Sequence, residues 1–267
     1  MKNIEERKIS FIGGGIIAEV FIKRLIESGF VFQNNIMVSD VKPERLDYLK
    51  ESYCVQVTNN NSESAAFGDF VFLAVPPSQV KVVLSENCKD LRKDQILISL
   101  AAAIPIWLID SVLCKEIGIV RVIPNIPSQI GKGVNPYCIG KFTTKEQSED
   151  VKKLLEIFGD AILVDESKMN IATAITAVGP TYWFPAVKSL LDFAKAKGLD
   201  KELGYKLVAK TMQGTAELIL NTLKDPEELK LMIATRTIDE EKVKNIFYEA
   251  VNKAYEKIEA SEKKLTE

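Results

Sequence analysis

An α/β fold is predicted for this chain: a doubly wound, largely parallel sheet over residues 1–166, followed by an all-helical region over residues 167–267. Three observations carry it. Short β-favouring runs alternate with helical patterns through the first part, the pattern of a parallel sheet wrapped by helices. The runs from Phe70 to Val75 and from Ile96 to Leu100 are almost wholly apolar, as strands are when helices cover both sheet faces. From about Lys168 no convincing strand recurs, and the spacing is helical to the end.

The first element organises the rest. Ile9-Ser10-Phe11-Ile12 runs into Gly13-Gly14-Gly15 and then into the helix-period stripe Val20, Phe21, Ile22, Leu25 and Ile26. Read as strand, tight turn and helix, Gly13-x-Gly15-x-x-Ala18 is a Rossmann-type dinucleotide spacing. Gly13 permits the turn, Gly15 lets backbone approach a pyrophosphate, and Ala18 lets the helix pack on the strand. The helix start, at Ile16 and Ile17, offers N–H groups and a partial positive charge to phosphates. A glycine cluster alone is commonly an ordinary loop; the strand before it and the helix after it make this one a nucleotide turn.

Ser28-Gly29 ends that helix. Asn35 to Ser39 reads as a second strand ending in Asp40, about 25 residues past the turn, where this fold places the acid that reads the ribose. A carboxylate there accepts the 2′- and 3′-hydroxyls and repels a 2′-phosphate. Lys42 and Arg45 just beyond can instead neutralise that phosphate. Asp40 can equally cap the helix opening at Pro43-Glu44, and the two roles are compatible. The cofactor is thus NAD or NADP, with the choice open.

Asp69 to Val75 is a buried strand that breaks at Pro76, and Ala74, Val75 and Pro76 stand at its carboxyl end, where open α/β sheets bind ligands. Gln95 to Leu100 ends in Ala101-Ala102-Ala103, small residues that suit either a nicotinamide lying against backbone or tight packing. Val120 to Ile123 runs into Pro124-Asn125-Ile126-Pro127, a stiff segment that presents the Asn125 amide as a ligand donor. Asn135 to Ile139 reads as an edge strand, Thr144 starts a helix over Glu146 to Phe158, and Ala161 to Val164 closes the sheet.

In the helical region, Val178-Gly179-Pro180 interrupts the pattern, and helices run from Tyr182 to Lys195 and from Leu203 to Leu223 with Gly198 between them. Thr237, followed by a cluster of acids, reads as the opening of the last helix. There Val243, Ile246, Phe247, Ala250, Val251, Ala254 and Ile258 repeat at helix spacing. So broad an apolar face needs a covering surface, either within its own subunit or in an intertwined dimer.

Composition excludes several classes. With 267 residues, 46% of them hydrophobic, the chain can bury a large core in two domains. A formal net charge of -2 gives no basic field for nucleic acid or an anionic membrane. The four cysteines (Cys54, Cys88, Cys114, Cys138) show no C-x-x-C spacing and read as reduced, mostly buried thiols. The most apolar stretch, Ile96 to Ile109, is shorter than the roughly 20 residues that cross a bilayer. The N-terminus is charged and lacks the apolar core of a secretory signal, so a cytoplasmic location is expected. The chain contains no histidine, which removes a His-based triad and the commonest zinc ligand, and no metal site is expected.

Along essentially its whole length the sequence resembles the pyrroline-5-carboxylate reductases. The resemblance rests on ordered blocks: Phe11 to Ala18 as the nucleotide turn, and Ala74-Val75-Pro76-Pro77 against the family's A-V-K-P. Ser99 to Ala103 is similar to its S-x-A-A-G, Arg121 to Pro127 to its R-x-M-P-N-T-P, and Thr176 to Tyr182 to the S-G-S-G-P-A-Y that begins the long dimer helix. Ser261-Glu262-Lys263-Lys264 is similar to the usual ending. The resemblance implies a C-terminal dimerisation domain, a homodimer that often assembles further, and NAD(P)H-dependent reduction of 1-pyrroline-5-carboxylate to L-proline.

It also marks departures. The family's S-P-G-G-T-T loop, which holds the substrate carboxylate, corresponds here to Met232 to Ile238 and lacks the Pro-Gly-Gly. Thr237 aligns with the threonine beside the imine nitrogen and is the expected catalytic residue. Thr235 and the new Arg236 are expected at the substrate. Arg236 would either clamp its carboxylate or pair with Asp239 or Glu240 on the surface. Ala177 and Val178 replace the serine and glycine of S-G-S. These changes leave two alternatives: a reductase of another imine or small keto acid, and a non-catalytic dinucleotide-binding homologue.

Overall fold

A computed structural model describes residues 7–267; the charged residues ahead of Arg7, on which the reading of the N-terminus rests, lie outside it. One sheet is built from β1 (Ile9–Ile12), β2 (Ile36–Ser39), β3 (Gln56–Thr58), β4 (Phe70–Leu73), β5 (Ile96–Ser99), β6 (Gly118–Val122), β7 (Gly133–Ile139) and β8 (Gly159–Leu163). Their order is β3-β2-β1-β4-β5-β6-β7-β8. Pairing is parallel from β3 to β6, antiparallel between β6 and β7, and parallel between β7 and β8. The chain winds outward from β1 through β2 to β3, then returns to the other side of β1 with β4. The strand order therefore reverses beside β1, the point at which such sheets open a ligand crevice.

The helices of this part are α1 (Ile16–Glu27), α2 (Pro43–Tyr53), α3 (Asn61–Phe67), α4 (Val80–Asn87), α5 (Ile106–Val112), α6 (Lys145–Glu156) and α7 (Met169–Thr176). Each central strand serves two cores. Phe11, Phe70 and Phe72 join Phe21 and Phe158 on one face. Ile12, Val71 and Leu73 join Leu84 and Ile109 on the other. The register that pairs Phe11 with Phe72 stacks their rings at 4.7 Å, and Phe21 stacks on Phe158 at 4.0 Å. Because successive side chains point to opposite, equally apolar faces, these strands read as unbroken apolar runs.

Three local features differ from what the sequence predicts. The segment from Asn135 to Ile139 lies in β7, which is internal, with β8 beyond it. A proline is tolerated in it because Pro136 only accepts, from Ile123 N–H at 3.0 Å, and its missing donor faces a point where β6 has already ended. The last helix starts at Glu240 rather than Thr237, with Asp239 Oδ1 accepting from Lys242 N–H at 3.3 Å. By contrast, Thr144 starts α6 as expected, and the structure shows it doing so in a reciprocal capping pair with Gln147. Cys88 and Cys138 are buried while Cys54 and Cys114 are exposed, so only half of the thiols are in the core.

The described chain divides into two compact units. The first runs to Val178 and also takes in Lys253–Glu267; the second is Gly179–Asn252. The first unit thus reaches beyond residue 166 and recruits the end of the last helix. In it, Arg121 of β6 is fully buried, 3.6 Å from Glu166 and 4.0 Å from Glu262, and Leu265 packs on the core.

The second unit contains α8 (Gly179–Ala196), α9 (Lys201–Thr222), α10 (Pro226–Leu229) and the first part of α11 (Glu240–Thr266). These helices bury almost nothing: Gly179 and Ala194 in α8, Gly204 in α9, and no residue of α11. Trp183, Phe184, Phe193 and Leu220 are all more than half exposed. No helix among the described residues is long and apolar enough to cross a membrane.

Candidate functional site

A cavity of about 780 Å³ opens at the carboxyl ends of β1, β2 and β4. Three chain segments form it. Gly13, Gly15 and Ile16 come from the β1–α1 turn. Ser39 to Lys42 with Glu44, Arg45 and Tyr48 come from the end of β2 and from α2, and Ala74, Val75 and Pro76 follow β4. Asn61, Gln79 and Val83 complete the wall.

The turn is built by close backbone contact. Gly13 has φ of 102° and donates its N–H to Ser39 O at 2.8 Å, while Ala74 N–H donates to Ile12 O at 2.9 Å. A Cβ at Gly13 would lie 2.8 Å from Ala74 O, so both the dihedral and the space require glycine. Gly15 is the N-cap of α1 and supplies no side-chain cap. The first N–H groups of the helix, with the positive end of its dipole, therefore open on the cavity.

The β2 side carries a charged brace. Asp40 Oδ2 accepts Gly14 N–H at 2.8 Å and Oδ1 accepts Lys42 N–H at 3.0 Å. Asp40 therefore does not cap α2, whose N-cap is Lys42 with no side-chain cap bond; its carboxylate makes a turn onto Lys42 instead, and a further bond reaches back to the glycines. Arg45 Nε donates to Gly14 O at 2.5 Å, and its guanidinium pairs with Glu19 and stacks on Tyr48. Tyr48 and Tyr53 hydroxyls donate to Glu19 Oε1 at 2.9 and 2.8 Å. Burial works to raise the Glu19 carboxyl, but the bonds from Arg45, Tyr53 and Tyr48 outweigh it and hold the group below its ordinary range. Burial first, and then Glu19 itself, push the Tyr53 phenol well up, so it stays a donor.

Of the residues expected at a cofactor, Gly13, Gly15, Ile16, Asp40, Ala74, Val75 and Pro76 line this one cavity. Gly14 does not; its N–H and C=O are spent on Asp40 and Arg45. Ile17 packs against the core. Ala101 is buried behind β5, its N–H on Ser99 Oγ at 3.3 Å. Asn125 is tied on both sides, donating to Thr176 O at 3.2 Å and accepting from Val134 N–H at 3.0 Å. Val178 ends the first unit, and Thr235, Arg236 and Thr237 lie exposed in the second, on the loop before α11. There Asp239 is held by Lys242 at 2.6 Å and Glu240 by Lys230, so among the described residues Arg236 has neither expected acid.

Sequence reasoning missed Tyr48, Asn61, Gln79 and Glu19. Arg45 and Tyr48 stand three apart on α2, a spacing that places both on one face and could have exposed the second from the first. Asn61, whose Oδ1 accepts Ser39 Oγ–H at 2.8 Å, carries no local signal.

Gly15 separates folding from binding. It has ordinary backbone angles, and an added Cβ meets no protein atom within 4 Å. Gly15→Ala is therefore expected to move the melting temperature by no more than about 2 °C. The methyl would occupy cavity space and weaken dinucleotide binding by roughly tenfold or more, read by titration calorimetry.

Comparison with known proteins agrees with this geometry. Residues 8–103 match the family described as NADP oxidoreductase coenzyme F420-dependent, and residues 166–261 match that described as pyrroline-5-carboxylate reductase dimerisation. The chain is 31% identical to the pyrroline-5-carboxylate reductase of Methanosarcina acetivorans, over 95% of this chain and 97% of that one. It is similar to the solved pyrroline-5-carboxylate reductase of Coxiella burnetii, at 29% identity and a TM-score of 0.80, over 97% of this chain and 99% of that one. The Plasmodium falciparum pyrroline carboxylate reductase, solved with NADP bound, is 25% identical with a TM-score of 0.86, over 97% of this chain and 100% of that one. Full-length likeness of this kind, joined to a glycine turn open on a cavity at the sheet's switch point, places the chain in the pyrroline-5-carboxylate reductase family.

Proposed function

We propose that the protein reduces 1-pyrroline-5-carboxylate to L-proline with NADH or NADPH, acting as a homodimer in proline biosynthesis. The observation that carries this reading is the uncapped start of α1 opening on the cavity beside β1, in a chain that matches this family from end to end. A bound nicotinamide dinucleotide supplies a hydride.

The residues at the switch point fit that group: the space beside Gly15 holds no protein atom within 4 Å of an added Cβ and is open to a ligand, and the N–H groups at the start of α1 suit a diphosphate. Gly13, Gly15 and Ile16 would hold the diphosphate, Asp40 the ribose, and Ala74, Val75 and Pro76 the wall beside it. Ala101 and Asn125 follow β5 and β6 on the same carboxyl edge of the sheet and would meet the nicotinamide half. A protonated cyclic imine accepts hydride at carbon without a covalent intermediate, so the chain needs to orient the substrate and hold a proton at its nitrogen. That suits a sequence without histidine. The Thr237 hydroxyl would relay a proton from water to the neutral imine nitrogen and then accept a hydrogen bond from the N–H so formed while the carbon takes the hydride. Thr235 and the backbone near Val178 would border the ring.

Arg236 takes over from the missing Pro-Gly-Gly loop by holding the substrate carboxylate in a two-point bond. Its lack of an acidic partner among the described residues supports this. Arg236→Ala is expected to raise KM for the carboxylate substrate about tenfold or more with a smaller change in kcat, and Arg236→Lys to recover part of it. An unchanged KM would remove Arg236 from the substrate site.

The homodimer reading rests on the second unit, whose exposed Trp183, Phe184, Phe193 and Leu220 give a helical region with almost no core of its own. The free cysteines fit a reducing, cytoplasmic compartment. Oxidation of NADH or NADPH by purified protein with racemic 1-pyrroline-5-carboxylate tests the activity. A panel of other cyclic imines and small keto acids separates it from the alternative reductases.

A further inference from the structure

We infer that this enzyme selects NADH over NADPH, with Asp40 as the residue that discriminates; the inference rests on the dinucleotide reading of the cavity above. Three backbone contacts hold Asp40 in place at the end of β2. Its N–H donates to Thr58 O at 3.4 Å, its Oδ2 accepts Gly14 N–H at 2.8 Å, and its Oδ1 accepts Lys42 N–H at 3.0 Å. A carboxylate has about four lone-pair sites, so roughly two remain, on a residue that lines the cavity. Two vicinal ribose hydroxyls are two donors and match them. A 2′-phosphate is an acceptor carrying negative charge. It would meet a carboxylate that cannot swing aside without breaking the glycine turn's own hydrogen bond.

The nearby cations do not offset this. Arg45 stands closest in sequence to the role, yet its Nε is on Gly14 O at 2.5 Å and its Nη2 is paired with Glu19. Its guanidinium lies 5.0 Å from the Tyr48 ring centre. Glu19 is fastened in turn by two tyrosine hydroxyls, so releasing Arg45 to a phosphate means dismantling a four-residue brace. Lys42 lines the cavity on an exposed, flexible stem, and Glu44 lines it as well. The charged lining is thus Asp40 and Glu44 against Lys42 and Arg45, with the arginine already neutralised. No positive surplus remains for a phosphate dianion.

The test is calorimetric titration of the full-length protein with NADH and, separately, NADPH, with no substrate present, so that it does not depend on the imine reaction. The wild type is expected to bind NADH about tenfold or more tightly than NADPH. Asp40→Asn removes the charge but keeps an oxygen for Gly14 N–H, and is expected to shrink the preference roughly tenfold, chiefly by tightening NADPH. Tighter NADPH binding by the wild type, or an unchanged ratio in Asp40→Asn, would overturn the inference. Should Asp40→Asn fail to fold, Lys42→Ala decides. It is expected to change the NADH-to-NADPH ratio by less than about threefold, whereas a selective loss of NADPH binding would make Lys42 a phosphate site and defeat the proposal. Binding of neither dinucleotide would overturn the nucleotide reading itself, and this inference with it.

Discussion

Thr237→Ala is expected to lower kcat for 1-pyrroline-5-carboxylate by about 100-fold or more, while dinucleotide binding stays within about twofold of the wild type. In a sequence with no histidine, the proton at the imine nitrogen must come from a hydroxyl, a lysine, a carboxyl or water; the loop before α11 supplies two threonine hydroxyls, Thr235 and Thr237, and Thr237 is the one that aligns with the threonine beside the imine nitrogen. A threonine is a weak acid, so its contribution is a positioned hydrogen bond to nitrogen as charge changes there, the kind of contact realised in the transition state rather than in binding. The loss should therefore fall on kcat, and Thr237→Ser, which keeps the hydroxyl, should restore most of it. Thr237 does not cap α11, since Asp239 does, so its removal carries no helix-capping penalty to confuse the reading. Unchanged turnover in Thr237→Ala would end its catalytic role.

Gly13→Ala should do the opposite and damage fold and binding together. Alanine at φ of 102° is strained by about 1–3 kcal/mol, and the new Cβ would lie 2.8 Å from the carbonyl oxygen of Ala74. That neighbour is backbone at the end of β4, so relief requires β1 and β4 to part where their ladder ends. The expected result is a melting temperature lower by several degrees and dinucleotide binding weakened at least 100-fold. Set beside Gly15→Ala, which should spare stability, it tells the two glycines apart: Gly13 shapes the turn, and Gly15 keeps room beyond it. A Gly13→Ala protein with native stability and native affinity would show that the turn is not built as described.

Much of this was legible in the sequence because the physics is local. The glycine spacing, the apolar strands and the helix start at Thr144 each depend on residues a few positions apart, and each is found where expected. β7 reads as an edge in the sequence but is internal, and a proline, normally barred from a sheet interior, is tolerated at Pro136 because β6 ends early. The start of α11 was misplaced because Thr237 and Asp239 are both good caps, and the chain uses the nearer one.

At the site, the residues that line the cavity from the turn and from the strand ends were visible, whereas the Glu19 brace was not. Glu19 lies on α1 among ordinary helix-surface charges, and only the folding of α2 against α1 brings Arg45, Tyr48 and Tyr53 to it. The bond from Gly14 N–H to Asp40 is likewise a long-range product of the β1–β2 pairing. It turns a residue that could have served either cofactor into one whose carboxylate is fixed in direction.

Reduction of the imine by this protein is decided by following the absorbance of NADH, and separately of NADPH, on adding racemic 1-pyrroline-5-carboxylate to the purified protein, with L-proline quantified at the end. Rapid oxidation is expected, faster with NADH, with one proline formed for each dinucleotide consumed. No oxidation and no proline, with dinucleotide binding verified by titration of the same preparation, would contradict this and leave a nucleotide-binding relative that acts on another substrate or on none.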